Sequence, residues 1–163
     1  MDFSSILHVF TALNKYDVQS MAVGGTAVAF YGYYRISTNM AGEFVEKPDI
    51  DIWYNPTYQN YYNLLKAIEE LGKNVTEYRD EIMPDPKNSF FRFEFDDYTL
   101  DLLPRVNASL KFSESFIKRA VFARNGLEIS VISREDLIED KKVTGRQKDL
   151  SDIEHLKGLP PLL

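Results

Sequence analysis

The spacing of apolar residues in the first third of the chain changes from helical to strand-like and back to helical. An apolar stripe at helical spacing runs from Phe3 to Leu13, and Ser4 or Ser5 is available as its N-cap. The apolar run 19–23 predicts a first strand, and residues 27–34 predict a short helix packed behind it. The chain therefore begins with a helix, a strand and a second helix.

A strand and a long helix follow in the middle of the chain. Acidic and apolar residues alternate over 49–52, which predicts a strand with one polar and one apolar face. A helix then begins at 55–57, where an N-cap and a proline stand together, and it runs to about Leu71, where Gly72 ends it. Residues 75–78 predict a short edge strand.

Two pairs of segments in the second half predict antiparallel hairpins. The segments 90–95 and 98–103 alternate in polarity on either side of a two-aspartate turn. The segments 116–123 and 127–131 flank Asn125-Gly126, a pair that tolerates the positive φ of a tight hairpin turn.

Two helices close the chain. Ser133 and Asp136 resemble a capping box before a helix that runs through Lys142, and a last helix spans 148–156 after Gly145. The order of elements predicts an α/β (α+β) fold, a mixed sheet backed by helices on one side. No linker long enough to separate domains interrupts the pattern, which predicts one domain over 1–163.

Composition narrows the class of protein. The 163 residues are 44% hydrophobic and 27% charged, as in ordinary soluble globular proteins. The first residues lack a cationic and apolar leader and no apolar run reaches membrane-spanning length, which predicts a cytoplasmic protein with no membrane partner. The absence of cysteine excludes thiolate metal sites and cysteine nucleophiles. A net charge of −6 argues against extended DNA binding.

A pair of glycines stands where the first strand meets the second helix. Gly24 and Gly25, followed by Thr26, indicate a strand-to-helix turn with bare backbone at its apex. Amide groups at such a turn, together with the helix dipole, favour an anion such as phosphate. The alternative is a tight turn without a ligand.

Three aspartates are candidates for metal binding. Asp49 and Asp51 share the polar face of their strand, and paired carboxylates are hard oxygen ligands suited to Mg²⁺. Asp101 lies on the strongly apolar strand 98–103, where a carboxylate needs a cation. The alternatives are solvated carboxylates on 49–52 and an ion pair of Asp101 with Arg92 or Arg105.

These segments also resemble a known family. The elements 23–25, 32–37 and 49–51 resemble the opening signature of the DNA polymerase β-type nucleotidyltransferase superfamily, particularly small stand-alone bacterial members related to abortive-infection nucleotidyltransferase toxins. The strand 98–103 is similar to the one that carries the family's third carboxylate. The segments 136–141 and 145–152 resemble the C-terminal lysine and Arg-x-Lys-Asp segment of those relatives. Residues 39–47 intervene before the aspartate pair, where the common pattern has almost none.

The resemblance implies the nucleotidyltransferase fold and an enzyme that moves an NMP from an NTP to an acceptor hydroxyl or phosphate. It implies that the catalytic aspartates hold two Mg²⁺ ions and that a second set of residues binds the nucleotide. The resemblance implies that the catalytic and metal-binding residues are Asp49, Asp51 and Asp101, and that the nucleotide-binding residues are Gly24, Gly25, Thr26, Arg35 and Lys141.

The acceptor is left open by the sequence. A tRNA end, a protein hydroxyl and a small molecule all fit the resemblance, because fold does not decide the acceptor. Two alternatives without catalysis remain, a nucleotide-binding module that is catalytically silent and an interaction module of a toxin–antitoxin pair.

Overall fold

A computed structural model describes residues 3–32 and 47–160 of the chain. Within these ranges the chain forms six strands, seven α-helices and one 3₁₀ turn, Pro86–Asn88. The strands are β1 (Ser20–Ala22), β2 (Asp49–Tyr54), β3 (Phe91–Glu94), β4 (Thr99–Leu103), β5 (Ala120–Arg124) and β6 (Leu127–Val131). The helices are α1 (Ser4–Lys15), α2 (Gly24–Phe30), α3 (Tyr58–Glu70), α4 (Thr76–Arg79), α5 (Phe112–Ile117), α6 (Arg134–Thr144) and α7 (Gln147–Lys157).

The strands form one mixed sheet in the order β3-β4-β2-β1-β6-β5. Antiparallel hairpins form its two ends, β3 with β4 and β5 with β6, and β1 pairs antiparallel with β2. The pairs β2–β4 and β1–β6 are parallel, so each hairpin is joined to the centre by a parallel contact. The mixed α/β sheet predicted from the sequence is confirmed.

Helices and apolar strand faces together enclose the core. Helix α1 packs on α3 and β6, α2 packs on β2 and α6, and α6 packs on α7. The largest fully buried side chains are those of Trp53, Tyr54, Tyr61 and Phe10. Trp53 lies edge-on to Phe112 of α5, with ring centroids 5.3 Å apart. This close packing fixes the apolar face of the sheet and therefore the strands that carry the polar side chains on the other face.

Local signals for the ends of elements hold at several predicted places. The side chains of Thr57 and Ser133 accept the backbone N–H groups of the third residues of α3 and α6. Asn125 and Gly126 both have positive φ, 52° and 78°, as the predicted hairpin turn requires. The predicted caps Ser4 and Ser5 are wrong, since both lie inside α1 and Phe3 precedes it without a side-chain cap.

Three predicted boundaries also change. Residues 75–78 are not an edge strand: Val75 precedes the single helical turn α4, whose Tyr78 ring stands edge-on to Phe91 at 5.0 Å. Apolar residues three apart fit one helical turn as well as a strand end. Helix α2 begins at Gly24 and not at 27, and 112–117 form a helix before β5. First-turn glycines lack intrahelical N–H partners in any case, so they start a helix at little cost.

None of the helices within the described ranges combines the length and the apolar character needed to cross a bilayer.

Candidate active site

The polar face of two neighbouring strands, β2 and β4, carries three aspartates, which we call the carboxylate row: Asp49, Asp51 and Asp101. In the register of the sheet Asp51 of β2 lies opposite Asp101 of β4. Cross-strand partners point to the same side of a sheet, as do residues two apart on one strand. Asp49 is exposed, whereas Asp51 and Asp101 are half-buried. The parallel pairing of β2 with β4 therefore gathers the row from two distant segments.

Arg92 of β3 lies at one end of the carboxylate row. It is the register partner of Asp101, and its Nη1 donates to Oδ1 and Oδ2 of that residue at 2.9 and 2.8 Å. Its Nη2 lies 3.6 Å from Oδ1 of Asp49. The ion pair that the sequence offered as an alternative for Asp101 thus forms with Arg92, while Arg105 donates to the carbonyl of Lys87.

The start of α2 lies against the other end of the row. Gly24 has φ +56°, and a Cβ atom added there would lie 2.8 Å from Oδ2 of Asp51. Any side chain at Gly24 would therefore collide with the carboxylate and strain the backbone. The buried hydroxyl of Thr26 accepts from the backbone N–H of Asp51 at 3.0 Å and donates to the carbonyl of Asp49 at 3.4 Å. These bonds fix α2 to the strand that carries two of the aspartates.

Crowding of negative charge changes the acidity of the row. Burial, followed by the charges of Asp101 and Asp49, raises the pKa of Asp51 to about 7, although Lys141 and Lys148 oppose the rise. Burial also raises the pKa of Asp101, against the opposing charge and hydrogen bonds of Arg92. The negative charge of the row is thus not fully neutralised by its neighbours. Titratable groups with strongly shifted pKa values concentrate at functional sites.

Lys141 belongs to a second group, the buried ion cluster, which consists of Lys141, Asp149 and Asp152 with Arg146 at its rim. Nζ of Lys141 lies 2.8 Å from Oδ2 of Asp152 and 3.3 Å from Oδ1 of Asp149. Arg146 Nε donates to Oδ2 of Asp149 at 2.7 Å. The side chains of Lys141, Asp149 and Asp152 are all buried. The Lys141 ammonium is paired with these two carboxylates, and it influences Asp51 of the carboxylate row through its charge.

The residues predicted for the site are distributed unequally over the structure. Gly24 and Thr26 adjoin the carboxylate row, Gly25 follows in the first turn of α2, and Lys141 is buried in α6. Arg35 lies outside the described residues. Among the described residues, no three carboxylate or histidine side chains stand close enough together to form a metal-binding group. Two members of the row are bound to Arg92 instead.

Sequence reasoning did not identify Arg92 as a site residue. Its place follows from the β3–β4 register, because a hairpin with a two-residue turn at Asp96-Asp97 pairs Arg92 with Asp101. The alternation of 90–95 was visible in the sequence, but the pairing of β4 with β2 was not. Only that second pairing brings Arg92 within reach of Asp49.

Comparison with known proteins was made at the levels of sequence and structure. No protein-family model matches the chain, and no curated protein matches it by sequence. Solved structures do match it over nearly its whole length.

The matching structures are nucleotidyltransferases. The lincosamide antibiotic adenylyltransferase LnuA, solved with lincomycin bound, has a TM-score of 0.63 at 16% identity and covers 98% of this chain and 99% of its own. The antibiotic-resistance factor ANT(2'')-Ia has a TM-score of 0.56 at 19% identity and covers 96% of this chain and 84% of its own. An antigenic nucleotidyltransferase-like protein from Paracoccidioides brasiliensis has a TM-score of 0.51 at 13% identity, covering 93% and 73%. This chain therefore has the nucleotidyltransferase fold.

Proposed function

We propose that the protein is a Mg²⁺-dependent nucleotidyltransferase that moves an NMP from an NTP to a hydroxyl of an acceptor and releases pyrophosphate. The observation that supports this best is the cross-strand pairing of Asp51 with Asp101, which lines up the carboxylate row beside Gly24. The likeness to solved nucleotidyltransferases supports the same class of reaction.

The chemistry of the carboxylate row suits a divalent cation. Its three aspartates supply hard oxygen atoms, and a cationic group, Arg92, already bridges two of them. We assign Asp49, Asp51 and Asp101 as the residues that would hold the two Mg²⁺ ions, which requires their carboxylates to come closer together than they are in this structure. The bound ions would neutralise the triphosphate and lower the pKa of the acceptor hydroxyl.

The protein itself contributes position and charge. The bare backbone at Gly24 lets the first turn of α2 lie directly against Asp51, and we assign the amide groups of that turn, at Gly24 and Gly25, to the phosphates of the nucleotide. Thr26 holds this turn to β2 through its two hydrogen bonds. We assign Asp101, on the neighbouring strand β4, as the general base that accepts the proton of the acceptor hydroxyl. Lys141 acts from the buried ion cluster, where its charge favours ionisation of Asp51, and Arg35 is assigned to the phosphates from the resemblance alone.

Among possible acceptors we favour a small molecule. The matching structures include LnuA bound to lincomycin and ANT(2'')-Ia in complex with adenylyl-2''-tobramycin, both with small-molecule ligands. A net charge of −6 disfavours a large nucleic acid, because affinity for nucleic acids depends on cationic side chains that neutralise phosphates. A tRNA end or a protein hydroxyl is the second candidate.

The test is transfer of label from each of four α-labelled NTPs in the presence of Mg²⁺. One arm contains a panel of aminoglycosides and lincosamides, and the other a cell lysate, with products separated by size. We expect a labelled small molecule, and a labelled macromolecule would favour the second candidate. Asp101→Asn should abolish the label, whereas Asp97→Asn, in the exposed turn of the same hairpin, should not.

Calorimetry with a non-hydrolysable NTP distinguishes the alternatives that lack catalysis. Mg²⁺-dependent binding of the analogue without label transfer to any acceptor would favour a silent nucleotide-binding module. Absence of binding would favour an interaction module, for example within a toxin–antitoxin pair.

A further inference from the structure

Arg92 occupies the position from which a cation neutralises the carboxylate row. Its guanidinium contacts both carboxylate oxygens of Asp101 and approaches Asp49, so one side chain spans two of the three proposed metal ligands. We propose, building on the proposed function, that Arg92 is an exchangeable cation: it holds the row when no divalent ion is bound, and it transfers to the nucleotide's phosphates when one is.

The contact of Arg92 with the row is accessible enough to exchange. The side chains of Arg92 and Asp49 are 57% and 52% exposed, whereas Asp101, which makes the shorter contact with Arg92, is 17% exposed. Strand β3 stands at the end of the sheet, so its outer edge pairs with no other strand among residues 3–32 and 47–160. A divalent cation at Asp49 and Asp101 needs the same oxygen atoms that Arg92 binds, so arginine and metal compete for them.

Contacts at the opposite end of the row do not exchange in this way. Gly24 abuts Asp51 through backbone, and Thr26 is tied to β2 by hydrogen bonds. The cations of the buried ion cluster are engaged by Asp149 and Asp152. Arg92, by contrast, hydrogen-bonds to the row through a side chain that is more than half exposed to solvent.

A displaced guanidinium has an evident new partner. Its planar donor fork fits phosphate oxygens as well as it fits a carboxylate. Arg92 remains anchored to β3 beside the metal ligands, and a metal-bound triphosphate would bring phosphate oxygens to that place. The exchange thus predicts opposite effects of Arg92 on the binding of metal alone and of nucleotide with metal.

The experiment measures two affinities in purified protein. Mn²⁺ alone is titrated by electron paramagnetic resonance, and a non-hydrolysable NTP with saturating Mg²⁺ is titrated by calorimetry. Arg92→Gln should bind Mn²⁺ roughly fivefold more tightly than wild type and the nucleotide analogue roughly fivefold more weakly, as expected for a partly exposed ion pair. Arg105→Gln is the matched control, since Arg105 contacts the carbonyl of Lys87 and the side chain of Asn88.

The result that overturns the exchange is a Mn²⁺ affinity of Arg92→Gln that equals or falls below that of Arg105→Gln. A fall would mean that Arg92 only positions Asp101 for the metal. Arg92→Lys, which keeps the charge but loses the donor fork, should lie between wild type and Arg92→Gln, and it serves if the glutamine variant does not fold. If the wild-type protein binds neither Mn²⁺ nor the nucleotide analogue, both the proposed function and the exchange of Arg92 are wrong. If the wild-type protein binds both, the Arg92 variants test the exchange alone.

Discussion

The carboxylate row and the buried ion cluster are two groups of charged side chains that differ in how completely their charges are neutralised. The buried ion cluster matches two carboxylates, Asp149 and Asp152, with the cations of Lys141 and Arg146. The carboxylate row contains three aspartates, and Arg92 contacts two of them. Lys141, Asp149 and Asp152 of the first group are buried, whereas in the second group Asp49 is exposed and Asp51 and Asp101 are half-buried.

We infer that the buried ion cluster serves mainly the stability of the fold and that the carboxylate row is the proposed metal site. Buried charges must be paired because an unpaired charge in the interior costs several kcal/mol. The carboxylate row is only partly paired in this way, and burial together with the crowding of its carboxylates raises the pKa values of Asp51 and Asp101. Surplus negative charge held in a fixed geometry is what a cationic ligand requires. Substitutions in the two groups should therefore produce opposite patterns of stability and activity.

The largest expected effect is on activity. Asp51→Asn should lower the rate of nucleotidyl transfer at least about a thousandfold, about 4 kcal/mol of transition-state energy, because it removes a proposed metal ligand. Its unfolding free energy should stay level or rise, because one of three crowded carboxylates is neutralised. Label transfer and urea unfolding measure the two quantities, and an active variant would exclude Asp51 from the mechanism.

In the buried ion cluster the expected loss is one of stability. Lys141→Met leaves two buried aspartates without their shared cation and should lower the free energy of unfolding by about 3 kcal/mol or more. The neighbouring Lys142 is exposed and pairs with Glu139, so Lys142→Met is the matched control and should change little. Equal urea midpoints for the two variants would contradict the distinction between the groups.

A smaller effect is expected where backbone meets the row. Gly24→Ala should lower the unfolding free energy by about 1–2 kcal/mol, because φ is positive and the new Cβ meets Asp51 at 2.8 Å. Gly126→Ala has the same kind of backbone penalty but no neighbouring atom within 4 Å. Thermal unfolding of both variants separates the collision from the backbone strain, and equal losses would show that the approach to Asp51 is unimportant.

The smallest effect depends on pH. Burial favours a raised pKa for Asp149, but hydrogen bonds from Arg146 and the charge of Lys141 outweigh burial and hold the pKa below its usual value. A carboxyl group with a lowered folded-state pKa contributes stability above its unfolded-state pKa and loses that contribution as the pH falls through its folded-state pKa. The difference in unfolding free energy between wild type and Asp149→Asn should therefore shrink below about pH 4. Urea titrations at several pH values measure it, and a constant difference would contradict the assignment.

Much of the fold followed from local patterns in the sequence. The hairpin at Asn125-Gly126, the cap at Thr57 and the alternation over 49–52 each depend on neighbours in the chain, and all three are present. The short segment 75–78 was mispredicted because four residues do not distinguish a helical turn from a strand end. The sequence predicts that Gly24 and Gly25 precede α2, because glycine has a low helix propensity. In the structure both glycines belong to the first turn of that helix.

The site was predictable in its residues but not in its contacts. Acidic residues on polar strand faces indicated Asp49, Asp51 and Asp101, and the glycine pair indicated the turn beside them. The partners of Arg92 and Lys141 depend on the pairing of β2 with β4 and on the packing of α6 against α7. Contacts between segments so far apart in the chain leave no periodic trace in the sequence.

The parallel contact between β2 and β4 has a consequence for assembly of the molecule. The crossover between these strands contains α3, α4 and β3, so like charges meet only when the sheet closes at its centre. Electrostatic repulsion between Asp51 and Asp101 opposes this pairing, and an ion that bridged them would act as a folding ligand by mass action. Divalent ions should accordingly increase the yield of folded protein when they are added to the growth medium, and they should raise the melting temperature when they are added to the purified protein.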